Sequence, residues 1–176
     1  MEFIQHIANN IGSGSSFREW SNEERLKLLS IDNDKQEIIK KLLFKKVIYD
    51  DKYKSNAEFK VIKITSLVGI NRHERVDNWL ELLFNLHKKN IFNNYKGRDT
   101  FINYVLSLNS TSEDLPHVLA VGNKYYIDSN GKHRLTIAKC LEIGEFPVLV
   151  SKITIYKRII RRIYFCCMAL REKYTS

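Results

Sequence analysis

The chain has 176 residues, 44% of them hydrophobic and 28% charged, with a net charge of +9. That balance suits one globular domain with its own core. It excludes a collagenous or proline-rich chain (two prolines, seven glycines), and no apolar run reaches the roughly 20 residues of a membrane span.

The opening MEFIQHIANN lacks the basic start and apolar core of a signal peptide, so a cytoplasmic protein is expected. IGSGSS is read as a flexible joint. SNEERLKLLS then offers a capping box, with Ser21 at the helix start and Glu24 three residues on. Ile38, Ile39, Leu42 and Leu43 have helical spacing and predict a second helix over 35–48. Residues 1–56 are read as a helical N-terminal extension.

FKVIKI (59–64) reads as a strand. A helix over 74–89 is predicted from a stripe of Val76, Leu80, Leu83 and Leu86 or His87. Another helix is predicted from Asp99 to Leu108, followed by the polar loop STSEDLP. HVLAV and KYYI are strands joined at Gly122-Asn123, a tight-turn signal. DSNG leads into a helix from Lys132 that ends at Gly144, and FPVLVSKI is a buried strand. The tail 155–176 is read as a basic helix. The order of elements indicates an α/β or α+β domain over 57–154: a small mixed sheet with packed helices.

The basic excess is concentrated. Segment 35–63 holds nine Lys against four acids, and segment 152–173 holds seven Lys or Arg against one. Such clustering suits a polyanion such as DNA or RNA, or else forms a solvated lysine face. In the tail, Arg158, Arg161 and Arg162 lie close together on a helix. They are nucleic-acid-binding candidates; an anionic membrane surface and a docked amphipathic helix are the alternatives. Cys140, Cys166 and Cys167 form neither a disulfide framework nor a metal spacing, and reduced thiols are expected.

The chemistry is most readable at Gly131-Lys132-His133-Arg134. A helix start presents unpaired amides and partial positive charge, and so makes an anion site. Lys132 adds a point charge and Arg134 can grip a phosphate bidentately. Cations here oppose the helix dipole, a conflict that stability alone does not favour. An ordinary charged surface turn is the alternative. Asp128 is the nearest acid, and either a turn residue or a functional carboxylate. A histidine's ordinary pKa lies near neutrality, so His133 is read either as a general acid/base or as a hydrogen-bond donor. Trp79 is expected in the core, and His73 and His87 lack a partner at metal spacing. Tyr125 and Tyr126 face opposite ways on a strand, so one packs inside and the other is a base-stacking candidate.

The stretch Tyr126-Ile127-Asp128, Gly131-Lys132-His133-Arg134, Ala138 and Phe146-Pro147-Val148 resembles the ParB/sulfiredoxin superfamily, with its G-x-[HR]-R helix start and following "IPV"-type strand. Upstream, KITSL, the loop Asn71-Arg72-His73-Glu74-Arg75, the segment DNWLELLFNLHKKNI and Pro116-His117-Val118 are similar to that family's first half. The resemblance covers 59–152. It departs in a long link over 91–115, read as a lid or an added helix. Lys132 also stands where sulfiredoxins place their catalytic cysteine, so sulfiredoxin chemistry is not expected. About 24 residues follow Lys152, so the DNA reader and dimerisation tail of a full partition protein are not expected.

The resemblance implies that a nucleotide (ATP or CTP) or nucleic-acid phosphate binds at Gly131, Lys132, His133 and Arg134, with Arg72 and Arg75 facing it. His133, Asp128 and Glu74 become catalytic candidates, and Asp128 and Glu74 candidate Mg2+ ligands. Glu74 is otherwise a first-turn helix acid, and Arg72 and Arg75 otherwise surface cations. The expected activity is a DNA-directed nuclease or a nucleotide hydrolase. The alternatives are a non-catalytic nucleic-acid or protein binding module and an ATP-dependent phosphotransferase. DNA and nucleotide are the expected partners, and a homodimer is left open.

Overall fold

A computed structural model of the chain describes residues 20–86 and 96–153. The expected joint before Trp20, His87, the tail helix with Arg158, Arg161 and Arg162, and Cys166 and Cys167 all lie outside the described residues.

The described chain is mixed α/β. In chain order it runs α1 (Asn22–Leu28), α2 (Asn33–Lys41), β1 (Lys45–Lys46), a 3-10 turn (Asp51–Tyr53), β2 (Glu58–Lys63), a second 3-10 turn (Ile64–Ser66) and β3 (Leu67–Ile70). Then come α3 (Trp79–Phe84), α4 (Arg98–Ser107), β4 (His117–Val121), β5 (Lys124–Ile127), α5 (Lys132–Cys140) and β6 (Glu145–Lys152). The six strands form one mixed sheet in the order β1-β3-β5-β4-β6-β2. β1 with β3, β3 with β5, and β4 with β6 run parallel; β4 with β5 and β2 with β6 run antiparallel.

Strand alternation sorts the sheet into two apolar faces. Val118, Ile127, Phe146, Val148 and Val150 face the main core, where Trp79, Leu80, Leu82, Leu83, Leu135 and Ile137 cover them. Their neighbours Leu119 and Tyr126 point the other way and join Val68, beside Val47, Tyr49, Val121 and Ile153. Both expected tyrosines are therefore occupied in packing: Tyr126 is buried in this second cluster and Tyr125 is half-buried against the main core.

Several predicted bounds shift. The capping box forms as expected, with Ser21 N donating to Glu24 Oε2 at 2.9 Å and Glu24 N donating to Ser21 Oγ at 3.2 Å. The helix expected over 35–48 stops at Lys41, because Leu42 is extended and the chain then pairs beside β3 as β1. The helix expected over 74–89 begins only at Trp79. Asn78 Oδ1 accepts from Glu81 N at 2.9 Å and sets the cap there. Val76, Leu80, Leu83 and Leu86 of the stripe are all buried nonetheless. The strand expected over 59–64 is β2, which ends at Lys63; β3, beyond the Ile64–Ser66 turn, is not among the elements predicted from sequence. The helix expected to end at Gly144 ends at Cys140, and Glu142, not a glycine, takes the left-handed conformation (φ 53°). The long link over 91–115 contains α4.

Residues 20–56, read from sequence as an extension, share the core and the sheet of the rest. Leu29, Ile31 and Ile39 belong to the main cluster, and Arg25 donates to the Phe84 carbonyl at the end of α3. Trp79 is fully buried, as expected for a core residue. Its indole N–H donates to Leu43 O at 3.0 Å, and Phe44 meets it edge-on at 5.1 Å. Cys140 is a buried free thiol. No helix among the described residues is long and apolar enough to cross a membrane.

Candidate functional site

The turn between β5 and α5 sits at the end of the two central strands. Asp128 N donates to His117 O at 3.0 Å, and His117 N donates to Asn130 O at 3.2 Å, so the turn continues the β4–β5 ladder by one more step. Gly131 then takes a left-handed conformation (φ 87°) as the residue before α5. A Cβ at this position would lie 2.3 Å from Cβ of Pro116. Only glycine meets both demands, of handedness and of close approach.

No side chain caps α5. Asn130 Oδ1 accepts from Gly131 N at 2.7 Å, and Leu135 N closes the first helical turn on Gly131 O at 2.9 Å. Among the described residues, the amides of Lys132 and Arg134 donate to no protein acceptor. The positive end of the helix thus has amides without a described protein acceptor at the two residues that carry cations.

These cations are held by partners of their own. Lys132 Nζ lies 2.9 Å from Glu74 Oε1, and both side chains are largely enclosed. Arg134 Nη1 donates to the Tyr104 hydroxyl on α4 at 2.8 Å, so the added helix in the long link orients this arginine. That contact uses one of five guanidinium N–H donors. His133 is half-buried, with its Nε2 shielded from solvent.

The facing loop after β3 contributes unevenly. Arg72 donates to the carbonyl oxygens of Asp128 and Ser129, the latter at 3.3 Å, so it braces the turn. Glu74 reaches Lys132. Arg75 and His73 are exposed.

Asp128 is engaged in a partly buried ion pair. Lys54 Nζ meets its two carboxylate oxygens at 2.7 and 2.8 Å, and Asn71 Nδ2 adds a bond at 2.7 Å. Lys54 also contacts Asp51 at 2.6 Å, and that pairing holds the exposed Asp51 carboxyl below its ordinary pKa. For Lys54, burial lowers the ammonium's pKa, but its bonds and attraction to the two aspartates outweigh this and raise it overall. Sequence reasoning missed Lys54, because nothing in its local pattern separates it from eight other lysines in segment 35–63.

Of the two candidate magnesium ligands, Asp128 faces the Lys54 ammonium and Glu74 faces the Lys132 ammonium. No group of three His, Cys, Asp or Glu gathers among the described residues.

Comparison with protein-family models, with curated proteins and with solved structures finds no match to this chain.

Proposed function

We propose that the Gly131–Arg134 turn binds a phosphate group of a nucleotide or nucleic acid, and that the chain is a ParB/sulfiredoxin-like domain acting as a nuclease or nucleotide hydrolase. One observation carries this reading: α5 begins on a left-handed glycine with no side-chain cap, and its first turn bears Lys132 and Arg134. An oxyanion at that point meets open helix amides, the helix dipole and two cations together. The residues that resemble the superfamily motif are the ones gathered there.

Within this reading Arg134 grips the phosphate with the donors that Tyr104 does not use. Lys132 adds a second positive charge, and His133 donates a hydrogen bond. In hydrolysis a water attacks phosphorus as the bond from phosphorus to the leaving oxygen breaks; Glu74, the carboxylate beside Lys132, takes the water's proton, and the leaving oxygen is protonated from solvent. Asp128 is assigned instead to holding the turn, since its oxygens already face Lys54 and Asn71. Nucleic acid is the favoured larger substrate, because the chain is strongly basic.

Calorimetric titration of the full chain with ATP, CTP and a duplex DNA oligonucleotide tests the proposal, with and without added magnesium. At least one of these probes is expected to bind, and Arg134→Ala to weaken that probe by about tenfold or more, the scale of a lost charged hydrogen bond. Binding of none of them by the wild type, or equal affinity in Arg134→Ala, overturns it.

A further inference from the structure

We propose that Lys54 is a positioning residue for the phosphate turn, acting through Asp128; this rests on the reading of the Gly131 turn given above. Lys54 lies outside the motif, 77 positions before Gly131 in the chain. It follows the Asp51–Tyr53 turn and is far from the helix start in sequence. Its Nζ nonetheless sits against both oxygens of Asp128, in a pair whose side chains are 9% and 11% exposed.

Every residue from Asp128 to Gly131 has a described tie. Asp128 is held at its side chain by Lys54 and Asn71, at its amide by His117 O and at its carbonyl by Arg72. Ser129 O accepts from Arg72, Asn130 O accepts from His117 N, and Asn130 Oδ1 accepts from Gly131 N. Asn71 is itself fixed, since its Oδ1 accepts from Tyr49 N at 2.8 Å. Lys54 and Tyr49 belong to the same segment, so the N-terminal part of the chain closes this network.

Two physical effects run through Lys54. The first is geometry: a bidentate contact fixes the root of the turn, and errors on the scale of an ångström at a binding site are costly. The second is charge. Without the ammonium, the Asp128 carboxylate loses its ion-pair partner and keeps only the neutral Asn71 amide at its oxygens, three residues before the anion site, so its negative charge repels a phosphate. A pair of this kind adds little net stability over an apolar replacement, so its value lies in placement and neutralisation.

The test uses the full chain and the probe that binds the wild type among ATP, CTP and duplex DNA. Lys54→Met is expected to weaken binding by about tenfold. The double variant Lys54→Met/Asp128→Asn, which also removes the stranded charge, is expected to recover part of that loss. Ile39→Ala, a core change on α2, serves as the stability control and is expected to lower the melting temperature without changing affinity. Should Lys54→Met fail to fold, Lys54→Gln takes its place with the same expectation. Unchanged affinity in the Lys54 variant, or a loss matched by Ile39→Ala, overturns the positioning role. Absence of binding by the wild type overturns the reading of the turn itself, so the two failures are told apart.

Discussion

Gly131 and Gly122 both sit at positive φ, at 87° and 64°, but their surroundings differ. A methyl group at Gly122 meets nothing within 4 Å, whereas at Gly131 it strikes Pro116. Gly122→Ala therefore carries only the left-handed penalty, about 1–2 kcal/mol. Gly131→Ala adds the clash and is expected to cost about 2–4 kcal/mol in all. Urea unfolding of the two variants checks the ordering; equal losses would show that Pro116 yields freely. Cys140 offers a second prediction at this scale. Burial pushes its thiol up to about 12, while the neighbouring Lys139 ammonium opposes that shift. A raised folded-state pKa contributes stability that is complete below the unfolded value, about 9, and is lost as pH climbs toward 12. Lys139 acts in the opposite sense, because burial lowers its pKa and stability from it increases with pH. Between pH 9 and 11 the thiol accounts for a loss of about 2–3 kcal/mol. Cys140→Ala is expected to flatten that decline in a series of urea melts, whatever its effect at neutral pH. An unchanged slope would refute the burial effect.

At the scale of elements, local signals survived where no tertiary contact competed with them. The Ser21–Glu24 box forms because both partners lie in one helical turn. The Gly122-Asn123 turn joins β4 and β5 at the expected bounds because hairpin geometry is local. The stripe of Val76, Leu80, Leu83 and Leu86 identified which residues are buried, but not how much of the segment is helical. Asn78 moves the cap inward, and a hydrophobic pattern carries no record of that. Segment 35–48 shows the reverse conflict. Its apolar spacing suits a helix throughout, yet Val47 N donates to Ile70 O at 3.0 Å, and sheet pairing claims the last residues. Ile38 and Leu43, counted in that helical stripe, are about half exposed.

For the molecule as a whole, the decisive fact is that residues 20–56 share one core and one sheet with the rest. A separate extension would melt by itself. Here Ile39 is 1% exposed within the main cluster, α2 packs on α3, and β1 extends the sheet. Ile39→Ala is expected to cost about 2–5 kcal/mol and to shift a single transition, with far-UV circular dichroism and tryptophan fluorescence coincident. A biphasic melt, with an early helical phase, would restore the two-part description. The network through Lys54 has the same origin, since its lysine and its aspartate are brought together only when the two parts fold as one.

By itself the sequence determined the mixed α/β class, the hairpin at Gly122, the glycine at position 131 and the crowding of charge at the helix start after it. Those features are written over a few consecutive residues, where turn chemistry and periodicity act directly. Only the tertiary structure decided that Asp128 serves Lys54, that Glu74 serves Lys132, that Tyr104 orients Arg134, and that the N-terminal segment joins the sheet. Those contacts join residues far apart in the chain, from Lys45 beside Gly69 to Lys54 beside Asp128. Side-chain type alone cannot choose among many equivalent lysines and acids; the choice is made by burial, which leaves a charge no partner except the one the fold sets beside it.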